Sequence, residues 1–450
     1  MRKSFSSLLL AGGLAATVLV ASHNLATGTP ADLGVAAGSI VGTQFGHSPG
    51  STGSHGSAKG GSSGQRTGSN SNGSSSSSGL SKSAGLTGIT TAPDVNTGLL
   101  MRSPSPPPSD LDLYVDGYII EAAWNVIEPT EGSFVTTRID KAVAEVRQWN
   151  AANPNNQRGL RLRITAGYNT PSWALNLGGP AVHLCSQSGS CGMVPRWWTA
   201  PVQAAYAEFT EKLAAYVNPI PEIREVTVGL TMVRFGEVMV RFPTVAGNAA
   251  AYSSAGYTEA LDIAAMKAEI NDGKAFYAVT QVDVADYQTP SNGQDITVSQ
   301  EIMDYAVATL PHVQFANASI TQSPGQNAAI FSLMQTYGAR GDKAASITFQ
   351  TFPVLSSVTA TLARAVSYGA CSVEMPQSGV TPSIAATYDE QLRSNCVAEG
   401  IQVPATPPAN GGNVASQGNE LTSAHLGDNW GDNWGGTTVL TAAYLSDNWG

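Results

Sequence analysis

A chain of 450 residues is long enough for one large domain or several small ones, so its internal organisation has to decide between them. Charged residues make up only 12%, about half the roughly 25% of an average globular protein, and the formal net charge is −10. This balance excludes a basic field able to hold a phosphate backbone, and nucleic acid is not an expected partner.

The N-terminal stretch "MRKSFSSLLLAGGLAATVLVAS" places Arg2 and Lys3 before an apolar run and ends in small residues, the pattern of a secretory signal peptide over 1–22. The run is shorter than the ~20 residues a spanning helix needs, so cleavage is expected, with no integral membrane segment in the mature chain. The expected location is therefore secreted or extracellular at the cell surface. Residues 23–91 are rich in Ser and Gly and lack the apolar content to offset chain entropy, so they are expected to form a disordered linker. A GxSxG match there, "GHSPG", lacks the strand-to-helix turn on which that motif works.

From 92 to 403 two kinds of apolar segment alternate. The expected strands are "TGLLMR", "LYVDGYIIEAAW", "LRLRITAG", "EVTVGLTMV", "AFYAVTQV", "VQFANA", "SITFQTF" and "CSVEMP". Helical spacing follows the second strand and each later one, at about 137–150, 201–217, 255–271, 297–309, 326–338, 357–369 and 383–398. Ile139, Ala142, Val143, Val146 and Trp149 share one helical face, as do Val202, Tyr206, Phe209, Leu213 and Val217. The first strand instead leads into "SPSPPPSD", which cannot form a helix interior. Strands apolar on both faces, alternating with helices, imply an α/β fold with a parallel sheet, and the repeat number suits a (β/α)8 TIM barrel. A doubly wound open sheet is the alternative, but no Gly-rich dinucleotide loop follows an early strand.

Residues 404–450 form a Pro/Gly/Asn-rich tail with three DNWG copies, at Asp428, Asp432 and Asp447. The copies read as low complexity, although Trp430, Trp434 and Trp449 also offer rings that stack on sugars or anchor a partner.

Four cysteines in an exported chain allow two disulfides in three connectivities, and spacing favours Cys185 with Cys191 and Cys371 with Cys396. Neither pair has CxxC spacing, and the six His residues show no ligand spacing, so no metal and no cofactor are expected. Nothing in the sequence sets the oligomeric state.

Active sites of such barrels lie at the C-terminal strand ends. Those ends carry Glu121, Trp124, Asn125 and Glu128 on strand two; Tyr168, Asn169 and Trp173 on strand three; and Glu237 on strand four. Gln281 and Asp283, Asn317, Gln350 and Glu374 follow on strands five to eight. Carboxylates, amides and aromatics in one ring suit a carbohydrate substrate, whose hydroxyls take hydrogen bonds while its C–H face stacks on rings. Cleaving a glycosidic bond needs two carboxyls flanking the anomeric carbon, and Glu237 with Glu374 is the expected catalytic pair. Trp124, Asn125, Tyr168, Asn169, Trp173, Asn317 and Gln350 are the expected substrate-binding residues. Asn317 also opens a glycosylation sequon, "NAS". Glu128 reads as structural, Glu121 as a partner for Arg161 or Arg163, and Trp197 and Trp198 as a cleft wall beside an insertion at 175–199.

"WNVIEPTEGSF", then "LRLRITAGYNTPSW", then a strand reaching Glu237 resembles the (β/α)8 glycoside hydrolases of the paired-glutamate clan, which includes cellulases, mannanases and β-galactosidases. The resemblance covers about 111–240 and implies that Glu237 is the acid/base. Three positions depart from the pattern: Gly236 stands where the clan has Asn, Gln350 where it has its nucleophilic Glu, and Glu374 and Met375 where it has an aromatic. A pair on strands four and eight would face each other across the ring. This favours the wider ~6.5–9.5 Å carboxyl gap of inverting enzymes over the ~5–5.5 Å of retaining ones. Two alternatives stand beside hydrolysis: a catalytically impaired barrel that binds glycan or cell-wall material, and a surface interaction protein working through its Trp tail.

Overall fold

The computed structural model describes residues 94–102, 107–233, 236–289, 293–323, 325–339, 346–376 and 378–398. The expectations of a signal peptide, a linker and a DNWG tail lie outside the described residues.

Eight parallel strands close into a barrel, as the repeat pattern predicts. In chain order they are β1 (Gly98–Met101), β2 (Val115–Ala123), β3 (Gly159–Thr165), β4 (Ile223–Thr227), β5 (Val279–Asp283), β6 (Val313–Ile320), β7 (Ser346–Thr351) and β8 (Ser372–Glu374). Each pairs with its sequence neighbour, and β1 closes on β8 through Gly98 opposite Ser372 and Leu100 opposite Glu374. "TGLLMR" is therefore a barrel strand, which keeps Gln350 on the seventh strand and Glu374 on the eighth.

Among the described residues seven main helices cover the strands: α1 (Thr137–Ala152), α2 (Ala200–Val217), α3 (Glu259–Asp272), α4 (Ile296–Thr309), α5 (Ala328–Gly338), α6 (Val358–Ser367) and α7 (Pro382–Ala398). Their starts follow local chemistry. Pro201 sits in the first turn of α2, where a missing N–H costs nothing. The side chains of Thr258, Asp295 and Ser357 accept the free amides at the starts of α3, α4 and α6. The helix expected from 255 begins at 259, because Gly256 adopts φ +77° and separates α3 from a short helix, Asn248–Ser254.

Strand residues alternate as barrel closure requires. Phe315 and Phe349 point outward, onto Tyr337 and onto Phe331 with Tyr368. The inward set is polar where such interiors are ordinarily aliphatic. Arg161 Nε meets Glu225 Oε2 at 2.7 Å, and Arg161 Nη2 lies 3.1 Å from Gln314 Oε1, 3.1 Å from Thr348 Oγ1 and 3.2 Å from Ser372 Oγ. Glu225 also accepts from Asn96 N and Nδ2 and from Gln314 Nε2. A buried ion pair is tolerated when its remaining polar groups are satisfied in this way.

Both expected disulfides form. Cys185–Cys191 closes a hairpin in the insertion, and Cys371–Cys396 ties the start of β8 to α7. Among the described residues no helix is long and apolar enough to cross a membrane.

Candidate active site

The strand that should carry Glu237 ends sooner than its apolar run suggests. β4 stops at Thr227, and nine residues separate its end from Glu237. At Gly229 the chain crosses the end of β3, with Gly229 O accepting from Ala166 N, and a Cβ there would lie 2.5 Å from Ile164 O. The crossover loop then returns across the barrel mouth, and Val238 N donates to Asp283 O at 3.0 Å. Glu237 is thus delivered by the crossover loop to the end of β5. This corrects the expectation that it ends strand four.

Glu237 is 5% exposed. Its Oε1 accepts from Ala318 N at 3.0 Å, while Oε2 has no hydrogen-bond partner among the described residues. Burial, reinforced by the neighbouring Asp283 carboxylate, pushes the Glu237 carboxyl up from 4.5 to about 7. Asp283 is itself raised by burial, against the pull of Arg163, and it accepts from Gln281 Nε2 at 2.5 Å.

Glu374 sits in the opposite electrostatic setting. Arg163 Nη2 donates to its Oε2 at 2.5 Å, and Arg163 Nη1 donates to Glu121 Oε1 at 2.8 Å, so one guanidinium bridges β2 and β8. Arg102 Nε lies 2.7 Å from Glu374 Oε1 in an ion pair, at an angle that leaves both atoms without a hydrogen bond. Burial acts to raise this carboxyl, but Arg163 and then Arg102 outweigh it and hold it below 4.5. The barrel mouth therefore holds Glu237, whose carboxyl is displaced up to about 7, and Glu374, whose carboxyl is displaced below its ordinary value.

Further polar atoms face the same space. Arg163 lies opposite Thr227 in the β3–β4 register, and Thr227 lies opposite Gln281 in the β4–β5 register. Arg163 Nε, Thr227 Oγ1 and Gln281 Oε1 are buried without hydrogen-bond partners among the described residues. They offer both donors and acceptors, which suits a group such as a hydroxyl. Gln350, beside Glu374 in the β7–β8 register, is half-buried on the inward side.

Several expected substrate contacts are structural instead. Trp124 is fully buried among Trp173, Tyr206 and Phe209, and its Nε1 donates to Glu128 Oε2 at 3.0 Å. Its ring fills the gap between β2 and α2, so it is not a sugar platform. Trp173 packs edge-on against it and donates to Glu128 O. Glu128 also accepts from Gly132 N at 2.8 Å, the turn-bracing role read from its sequence context. Asn317 spends its amide on Val284 O and its carbonyl on Ser319, and it is 1% exposed, which leaves neither a ligand contact nor an open sequon. Asn169 donates to Thr165 Oγ1, and Tyr168 to Leu184 O in the disulfide hairpin. Asn125 is exposed on the short helix after β2. Trp197 and Trp198 are buried rather than lining a cleft, because Trp197 Nε1 donates to Asp262 and Arg241 stacks over its ring.

The residues that sequence reasoning undervalued are Arg163, Arg102 and Asp283. The signal for Arg163 was present in "LRLRIT", where Arg161 and Arg163 alternate with Leu162 and Ile164, so both arginines must face the interior and require acids there. His183, Cys185 and Cys191 bring potential metal-ligand atoms within 4.8 Å of one another, but both sulfurs are consumed by the disulfide.

No family model matches the chain, and no curated protein matches it. Among solved structures it is similar to the exo-β-1,4-mannosidase Op5Man5 from Opitutaceae bacterium strain TAV5, at 10% identity over 67% of this chain and 60% of that one, with TM-score 0.37. The chain therefore spans less than two thirds of that mannosidase. It is also similar to endo-glycoceramidase II from Rhodococcus sp., at 12% identity over 66% and 80% of the two chains, with TM-score 0.37. A psychrophilic glycoside hydrolase family 10 endo-β-1,4-xylanase matches at 14% identity over 62% and 85%, with TM-score 0.36. Superposition is loose in all three, and the closed barrel rests on the strand pairing of this chain itself.

Proposed function

We propose that the chain hydrolyses an O-glycosidic bond of a poly- or oligosaccharide, with Glu237 as the protonated general acid and Glu374 as the ionised carboxylate. The observation that carries this reading is the opposite displacement of two buried carboxyls in one barrel mouth, Glu237 upward to about 7 and Glu374 downward. A general acid must hold its proton at the working pH, which an ordinary glutamate does not. Glu237 passes that proton to the glycosidic oxygen as the C1–O bond breaks. Glu374 then supplies negative charge to the electron-poor C1, either by bonding to it or by taking a proton from the attacking water.

A neutral, hydroxyl-rich substrate fits the remaining chemistry. Among the described residues the Arg163 charge is offset by Glu374, Glu121 and Asp283, and Arg102 pairs with Glu374, which favours a neutral substrate over a phosphate or sulfate. The inverting expectation required Glu237 on strand four and no longer has that premise, so the stereochemical course is read from the first-formed anomer by NMR. Export to an oxidising space is part of the proposal, supported by the N-terminal pattern and by two disulfides. N-terminal sequencing of the exported protein checks it: a start near residue 23 supports it, and a start at Met1 counts against it.

The test is reducing-sugar release from a panel of neutral polysaccharides. Activity should be lost on Glu237→Gln, and turnover that survives this change rules out Glu237 as the acid. A second reading, glycan binding without turnover, is favoured by one observation: Glu374 is 0% exposed, with both oxygens facing arginines. Saturable oligosaccharide binding with no product at any pH would support it over hydrolysis.

A further inference from the structure

We infer that Glu269, on the outer helix α3, is a positioning residue that sets where Glu237 sits, an inference that rests on the reading of Glu237 as the acid. The argument begins with backbone groups that lose their sheet partners. Past Thr227 the chain leaves β4, yet its amides remain buried and must be satisfied. Gly229 N donates to Tyr206 Oη of α2 at 3.1 Å. Leu230 N and Thr231 N both donate to Glu269 Oε2, at 2.6 and 3.0 Å. Three consecutive amides are thus held by helix side chains instead of by a strand.

Thr231 passes the constraint onward. Its hydroxyl lies 2.5 Å from Glu269 Oε1 and 3.1 Å from Val238 O, the carbonyl of the residue after Glu237. Its own carbonyl accepts from Arg241 Nη1 at 3.0 Å. Arg241 in turn makes a two-point ion pair with Asp262, both contacts at 2.9 Å. Glu269 and Asp262 are seven residues apart on α3, two turns along one face, so a single helix grips the crossover loop near both ends. Glu237 projects from between these grips onto Ala318 N, beside Asp283.

Glu269 is 0% exposed, and burial raises its carboxyl to about 7 against the hydrogen bonds it accepts. Among the described residues the titratable groups facing it are Tyr206 from α2 and Arg241 from the loop. Its geometry does not require a charge: an amide in its place can accept Leu230 N and Thr231 N through its carbonyl and donate to the Thr231 hydroxyl, which still reaches Val238 O.

The experiment is a 13C-carboxyl NMR titration of the full chain, with the Glu237 signal identified by its loss in Glu237→Gln. Glu269→Ala should lower the Glu237 midpoint by on the order of one unit, because a displaced loop loses burial and the Asp283 neighbour. Glu269→Gln should restore the midpoint. Thr231→Val, which removes only the hydroxyl link to Val238, should move it in the same direction as Glu269→Ala and decides the matter if Glu269→Ala does not fold. An unchanged Glu237 midpoint in folded Glu269→Ala or in Thr231→Val overturns the inference. With a turned-over glycan, kcat should fall about 10- to 100-fold with KM little changed, as expected for a misplaced acid. A moved midpoint with no glycan ever turned over would leave the positioning intact and remove the hydrolase reading.

Discussion

Gly236 lies against the carboxylate of Asp283 so closely that a Cβ at this position would overlap Asp283 Oδ2. The contact explains why no side chain stands there, where the resembling barrels place an asparagine: the crossover loop passes over the end of β5 with only backbone to spare. Gly236→Ala must therefore lift the loop or push Asp283 aside. The expected cost is about 1–3 kcal/mol of stability, with a larger fractional loss of activity, since both carboxyls of the acid's environment move. Chemical denaturation beside kcat/KM on the same preparation checks it, and equal stability and activity in the variant would contradict the contact.

Glu237→Gln should separate function from stability in opposite directions. Loss of the acid removes about 10²- to 10⁴-fold of rate. The folded-state carboxyl titrates near 7 and an unfolded one near 4.5. The native state therefore holds the extra proton between these values, and wild-type stability declines as pH rises from about 4.5 to 7. The full difference corresponds to roughly 3 kcal/mol at about 1.36 kcal/mol per unit. The glutamine variant lacks this decline, so above pH 7 it should be the more stable protein, and below pH 4.5 the two should converge. In wild type, activity should fall along an alkaline limb near pH 7 as Glu237 loses its proton.

Glu374→Gln should do the reverse. Removing the charge leaves Arg163 and Arg102 facing a neutral group inside the barrel, and breaking a buried pair from one side costs about 3–5 kcal/mol. Because the Glu374 pKa is depressed in the fold, its contribution is present above the unfolded value of 4.5 and is lost as pH falls through the folded value. The wild-type advantage over the variant should therefore be large at pH 7 and should shrink under acid, measured by denaturant midpoints across pH.

The barrel was legible because its evidence is periodic: β-branched runs, helical faces such as Val202, Tyr206, Phe209 and Leu213, and turn breakers recur in a fixed order. The site was legible only in part, because a strand's end is set by what meets its backbone and not by its hydropathy. "EVTVGLTMV" stays apolar past Thr227 since residues 228–233 are as buried as a strand, and the acceptors that capture the amides of Gly229 and Leu230, Tyr206 and Glu269, come from helices outside the barrel. Asp283 was visible as a strand-end acid, but its closeness to Glu237 follows from that loop's return path. Aromatics misled for a related reason: strand-end position alone does not separate Trp124, closed in by α2, from a ring open to solvent.

Trp124 and Gln350 provide a contrast that tests this division between packing and recognition. Trp124 is 0% exposed and contacts Trp173, Tyr206 and Phe209, so Trp124→Ala leaves a large cavity and should cost about 3–5 kcal/mol. Its KM for any turned-over glycan, measured well below the lowered melting temperature, should stay near wild type. Gln350 is half-buried on the inward side beside Glu374. Gln350→Ala should change stability by about 0.5 kcal/mol or less, but should weaken binding by about 1–3 kcal/mol if its amide holds a substrate hydroxyl. Thermal melts and Michaelis curves on the two variants separate these effects, and a Trp124→Ala protein of wild-type stability with a raised KM would return that ring to the substrate.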